Sequence, residues 1–182
     1  RLSNDNDIYI KGDTTLIHRN TYARWTYGGG FGGNTEGNTK IEMTGGLVDT
    51  LEGYGYDDQS ISGNATAVMR GGHVDWFLSG GGGSIGVVKG NGYTEIYGGT
   101  INAHVGGHYG SGTNTATNNA VMGDSIVTIT GGDFSGLPFK GGNKKLGAGA
   151  SRIGTIYGNA YMTIDFRNST EVFKLPPSSA IS

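Results

Sequence analysis

A short motif recurs in this chain at a nearly constant step. Four segments read alike: TKIEMTGGLVDTL, TAVMRGGHVDWF, YTEIYGGTINAHV and IVTITGGDFSGL. The first glycines of their pairs are Gly45, Gly71, Gly98 and Gly131, so the steps are 26, 27 and 33 residues. A degenerate copy, DIYIKGDTTLI, is expected to open the series with Gly12 at the glycine position. Another, AYMTIDFRNST, closes it with Phe166 and Arg167 in place of the pair. Self-similarity at one period marks an architecture of stacked units, each burying its apolar face against its neighbours. A second glycine set lies between the copies, in YGGGFGG, EGYGY, SGGGG, VGGHYG and KGGNK, beginning at Tyr27, Glu52, Ser79, Val105 and Lys140.

Within each copy the pattern ahead of the glycine pair has period two. Met43 with Ile41, Met69 with Ala67, Ile96 with Thr94 and Ile129 with Val127 fall on one face and are expected in a core. Three residues past the first glycine stands another apolar position: Val48, Val74, Ile101 and Phe134. A β-sandwich would give turns every 8–12 residues or so, without one motif returning at one phase. The expected fold is therefore all-β, a right-handed parallel β-helix of about six rungs. Glycine at its corners supplies the positive φ that tight bends need.

Composition agrees. Glycine makes up 37 of 182 residues, yet with three prolines and no three-residue period the chain is not collagen. An apolar fraction of 35 % and a formal charge of -2 do not describe a disordered chain. No basic surplus points to nucleic acid, and no apolar run is long enough to span a bilayer. The absence of cysteine excludes disulfides and thiolate chemistry and fits a secreted or cell-surface bacterial protein. No signal peptide is visible, as expected of a mature segment or an excised module. Residues 1–172 read as one domain, and 173–182 as a tail or the start of a linker. Two insertions, 108–124 and 141–160, are expected as polar surface loops.

Strands stacked ~4.8 Å apart turn equivalent positions into ladders, so outward ladders are where a site belongs. After the glycine pair one ladder reads Asp49-Thr50, Asp75-Trp76 and Asn102-Ala103. Trp76 is placed outward there, with Val74 and Phe77 filling the core on either side. A large exposed aromatic marks a binding surface. Tyr54, Tyr56 and Tyr109 are expected to extend it, as is Trp25 if its rung aligns with the outward Trp76 and not with the inward Leu51. If Trp25 and Trp76 share a ladder, two rungs separate them by ~10 Å, close to the repeat of a β-1,4-linked disaccharide. Asp49, Asp75 and Asn102 would take hydroxyl hydrogen bonds beside the rings. An alternative platform is the outer face of the preceding strand, with Arg70, Tyr93, Glu95 and Tyr97.

No catalytic set emerges. Asp57 and Asp58 are the one adjacent acidic pair, and neighbours on a strand point to opposite faces. Glu42 and Glu95 share a phase but are separated by Val68. His104 and His108 have a spacing that serves a metal on a helix, not on a glycine-broken strand. No metal and no cofactor is expected. The glycine runs lack the lysine-serine/threonine of phosphate loops.

The TGG, RGG, YGG and TGG anchors, with YGGGFGG-type corners between them, resemble glycine-rich β-helical segments of bacterial surface proteins. In size and architecture the chain is similar to the β-helical carbohydrate-binding modules of gut-microbial polysaccharide enzymes, notably carbohydrate-binding module family 89. That resemblance implies a non-catalytic module that binds β-linked plant polysaccharide, xylan foremost, and holds a tethered glycoside hydrolase on it. The alternatives are a structural segment of an adhesin or stalk and a small β-helical lyase or hydrolase.

Overall fold

The computed structural model describes residues 9–30, 32–56, 59–83, 86–110, 119–135, 146–152 and 154–169. The chain begins with β1 (Tyr9–Ile10), β2 (Thr14–His18), β3 (Tyr22–Tyr27), β4 (Asn34–Thr35), β5 (Thr39–Met43) and β6 (Leu47–Glu52). It continues through β7 (Gln59–Ile61), β8 (Ala65–Met69), β9 (His73–Gly83), β10 (Gly86–Val88), β11 (Gly92–Ile96) and β12 (Thr100–Ile101). It ends in β13 (His104–Gly110), β14 (Asn119–Val121), β15 (Ser125–Ile129), β16 (Ala150–Arg152), β17 (Thr155–Ile156) and β18 (Ala160–Ile164). No helix occurs among the described residues.

The strands form three parallel sheets that the chain visits in rotation. Sheet A is ordered β1-β4-β7-β10-β14-β17, sheet B β18-β15-β11-β8-β5-β2, and sheet C β16-β13-β9-β6-β3 with β12 also on β9. This all-β arrangement is compatible with a β-helix. In sheet B the repeats align one to one: Ile41, Ala67, Thr94 and Val127 occupy one row, and Met43, Met69, Ile96 and Ile129 another. All eight are fully buried, as are Val48, Val74, Ile101 and Phe134. The period-two pattern thus places the core as expected.

Glycine serves two physical ends here. The second member of each pair, Gly46, Gly72, Gly99 and Gly132, has positive φ between 89° and 111°, where a Cβ is strained. The opening pass turns instead at Asn20, φ 44°, a residue type that tolerates this region. That corrects the start of the series: β2 pairs with β5 through His18 and Met43, so Asn20-Thr21 stand where the glycine pair belongs and Gly12 does not. Gly12 belongs to another ladder, Gly-Asp/Asn, which the repeat pattern did not show. In it the backbone NH of Asn38, Asn64, Asn91, Asp124 and Asn159 donates to the side-chain oxygen of Asp13, Asn38, Asn64, Asn91 and Asp124 respectively, at 2.7–2.9 Å. The preceding glycines lie against each other's backbone. A Cβ on Gly63 would come within 2.7 Å of the Gly37 carbonyl oxygen, and one on Gly90 within 2.6 Å of that of Gly63. Asn64→Ala removes the acceptor for the Asn91 NH and is expected to cost about 1 kcal/mol, a melting-temperature loss of about 3 °C by calorimetry.

The insertions also need correction. His108 and Leu146 are buried, and β14, β16 and β17 are built from residues 119–121, 150–152 and 155–156. These stretches therefore carry strand and core, not loop alone. Residues 111–118 and 136–145, the Asp57-Asp58 pair and the 173–182 tail lie outside the described residues.

Candidate functional site

The outer surface of sheet C gathers most of the expected residues, and a β-bulge decides how. Val48 pairs with Val74 and Thr50 with Phe77, so Asp49 alone faces both Asp75 and Trp76. The extra residue shifts everything after it. Leu78, not Phe77, pairs with Leu51 and fills the core. Phe77 moves to the partly exposed side, where its ring stacks on His104 at 5.5 Å and 10°. The same register corrects the tryptophan ladder: Trp25 pairs with Thr50, and Thr50 with Phe77, so the ring two strands from Trp25 is Phe77. Trp76 stands beside that row, on the bulge.

Both tryptophans are 50 % exposed, but their surroundings differ. Trp25 is already engaged, with the Arg24 guanidinium 4.7 Å from its ring centre and Tyr56 stacked at 6.3 Å and 17°. Tyr56 in turn meets Tyr27 at 5.6 Å. Trp76 has one tilted ring contact among the described residues, with Phe77 at 5.8 Å. Between the pairs Val74–Ile101 and Phe77–His104, Ala103 is buried in the core and leaves the outer surface to Asn102 and Trp76's own neighbours. Trp76 is the better platform.

A polar wall borders it. On β9, His73 and Asp75 are two residues apart and share a face; the His73 Nε2 lies 2.7 Å from Asp75 Oδ1, a geometry in which the imidazole donates. The Asn102 amide nitrogen is 3.4 Å from the same oxygen and 3.1 Å from the ring nitrogen. Asp49 lies 3.9 Å from Arg24. Asp49 and Asp75 stay half-exposed, while Asn102 is buried at its base. His73 and Arg24 escaped the sequence reading, and His104 entered it only as half of a metal-type spacing with His108. The His-x-Asp spacing of His73 and Asp75 was a usable signal. The place of Phe77 was readable only from Val74–Leu78 being one residue longer than Val48–Leu51.

Tyr54 is corrected outright. It is 2 % exposed and packs with Ile61, Ala65, Val88 and Val121 in a second, smaller core, so it offers no ring to a ligand. The side chain of Tyr109 lies outside the described residues. Close by, Glu52 is 3 % exposed, in register with Tyr27 on β3 and Ser79 on β9. Burial pushes its carboxyl up to about 8, and burial together with that carboxyl pushes the Tyr27 phenol up.

The sheet B platform is a closed network. Glu42 accepts from Lys40 at 2.9 Å and Arg70 at 2.6 Å, hydrogen bonds that hold its carboxyl below the usual range. Arg70 lies over the Tyr97 ring at 4.7 Å. The Tyr97 hydroxyl donates to Glu95 at 3.0 Å, and Asn91 donates to the Tyr93 hydroxyl at 2.9 Å. These groups satisfy one another, as on a solvated sheet face. Val68 lies between Glu42 and Glu95 in register. His104 and His108 share β13, but His108 is buried, with Nδ1 2.5 Å from the Gly81 carbonyl. No three His, Asp or Glu converge among the described residues. Comparison of the chain with protein-family models, curated proteins and solved structures gives no match.

Proposed function

We propose that this chain is a non-catalytic carbohydrate-binding module, a right-handed parallel β-helix of about six rungs similar to family 89 modules. It binds a β-linked plant polysaccharide, xylan foremost, on the outer surface of sheet C, and holds a tethered glycoside hydrolase of a secreted or cell-surface bacterial protein on that substrate. One observation carries this reading: Trp76 lies in a bulge, half-exposed, next to Asp75, which His73 and Asn102 contact in turn. Aromatic rings stack on the apolar faces of pyranoses, and the partly exposed carboxylates of Asp75 and Asp49 accept from hydroxyls at the ring edge. The strand spacing of ~4.8 Å runs ligand-facing positions along the stack, as a linear glycan requires. Affinity electrophoresis against xylan, mixed-linkage glucan, cellulose and pectin tests it. Retardation by at least one β-glycan is expected; none at all ends the proposal.

Trp76→Ala isolates the platform. Stacking on an aromatic ring is worth ~1–3 kcal/mol by analogy with nucleobases, so affinity should fall about five- to a hundredfold. The melting temperature should move by only a few degrees, because Val74 and Leu78 fill the core on either side. Unchanged binding to every retained glycan would remove Trp76 from the site.

A further inference from the structure

The charges around Trp76 narrow the class of sugar. We infer that the site takes uncharged sugar rings and turns away uronic acids, a reading that rests on the polysaccharide proposal above. Asp49 faces Asp75 and Trp76 across the bulge, so two partly exposed carboxylates are the register neighbours of Trp76. A carboxylated sugar seated there needs a cation free to pair with it. The described cations nearby each face an acidic group already, Arg24 through a long and largely exposed pair that leaves the balance of charge negative. Arg24 lies 3.9 Å from Asp49 and over the Trp25 ring. His73 donates to Asp75. Arg70 is held on sheet B by Glu42 and Tyr97. Hydroxyl groups suffer no such mismatch, because carboxylate oxygens accept from them directly. The polar wall is thus matched to neutral rings and opposed to anionic ones.

The test pairs two ligands that differ only in charge and adds an acidic polymer of different linkage. Glucuronoxylan and the same xylan with its uronic acids reduced to alcohols are titrated beside polygalacturonate, at about 10 mM and about 300 mM salt. The reduced xylan should bind at least about threefold more tightly than the acidic form at low salt, with that gap closing at high salt, and polygalacturonate should bind more weakly than either. Asp75→Asn and, independently, Asp49→Asn should narrow the low-salt gap about twofold or more, with melting curves reporting whether each variant folds. Equal or tighter binding of the acidic ligands at low salt overturns the inference, as does a gap insensitive to salt. Retention of none of the three, with the neutral β-glycan panel also unbound, would instead sink the polysaccharide reading and this one with it.

Discussion

Gly80→Ala should cost about 3 kcal/mol or more and lower the melting temperature by about 10 °C. Gly80 follows Ser79 at the point where sheet C runs back against sheet B. A Cβ built there would lie 2.1 Å from the Tyr93 carbonyl oxygen and 2.4 Å from the Tyr93 nitrogen and carbonyl carbon. All three are backbone atoms of a paired strand, so no side chain can swing aside. The Gly80 NH also donates to Thr94 Oγ1 at 2.7 Å, and separating the two chains would break that bond inside the molecule. Gly53 and Gly28 repeat the crowding, at 2.5 Å from the Thr66 carbonyl carbon and 2.6 Å from the Gly53 oxygen. Gly149 is the internal control: nothing lies within 4 Å of its built Cβ, and Gly149→Ala should stay within about 0.5 kcal/mol of wild type. Thermal unfolding of the two variants side by side decides the matter. Similar melting temperatures would mean that sheets B and C pack less closely than described.

Glu52 should make the protein less stable as the pH rises. Its carboxyl titrates at about 8 when folded against 4.5 in the open chain. Between those values the native state keeps a proton that the unfolded state has lost. The stabilisation is full below about pH 4.5 and disappears as the pH passes 8, to a limit of about 5 kcal/mol. Glu52→Gln keeps the shape without the titration, so it should match wild type near pH 4.5 and exceed it by several kcal/mol at pH 9. His108 acts in the opposite sense, since burial pulls its imidazole below the ordinary 6.5 and native stability falls on acidification below that value. The quantity to plot is therefore the difference in unfolding free energy between wild type and Glu52→Gln. A flat difference would show that Glu52 is solvated in the native protein.

Much of this molecule was legible because its period is visible. Buried rows such as Ile41–Ala67–Thr94–Val127 need a side chain that tolerates burial at each pass, and the glycine pairs mark where each pass bends. The Asp13–Asn159 ladder was missed because Gly-Asn is a common turn pair and its members differ in charge. Only its return at each pass, ahead of Thr39, Ala65, Gly92, Ser125 and Ala160, distinguishes it. The site was half legible. Trp76 and Asp75 were found because the apolar positions on either side, Val74 and Phe77, leave the two residues between them for the outside. The pairing of Trp25 with Trp76 failed because one extra residue resets every later position by one, and alternation counted across a bulge carries the error forward. Tyr54 was misplaced for a different reason: beside glycines a tyrosine looks exposed, but the gap they leave is filled by the ring itself.

The strand that carries Trp76 is the middle one of sheet C, with β6 and β3 on one side and β13 and β16 on the other. Each strand bonds only to its neighbours in the stack, so opening begins at the two ends and advances inward strand by strand. At one end Leu16 is exposed although its row partner Ile41 is fully buried. At the other, Ile164 is exposed in register with buried Ile129. Fraying of those margins costs little and leaves β9 paired on both edges. Amide exchange should accordingly slow from both ends toward Val74 and Leu78. A ligand along the outer surface would rest on the slowest-opening part of the fold, while the margins breathe without disturbing it.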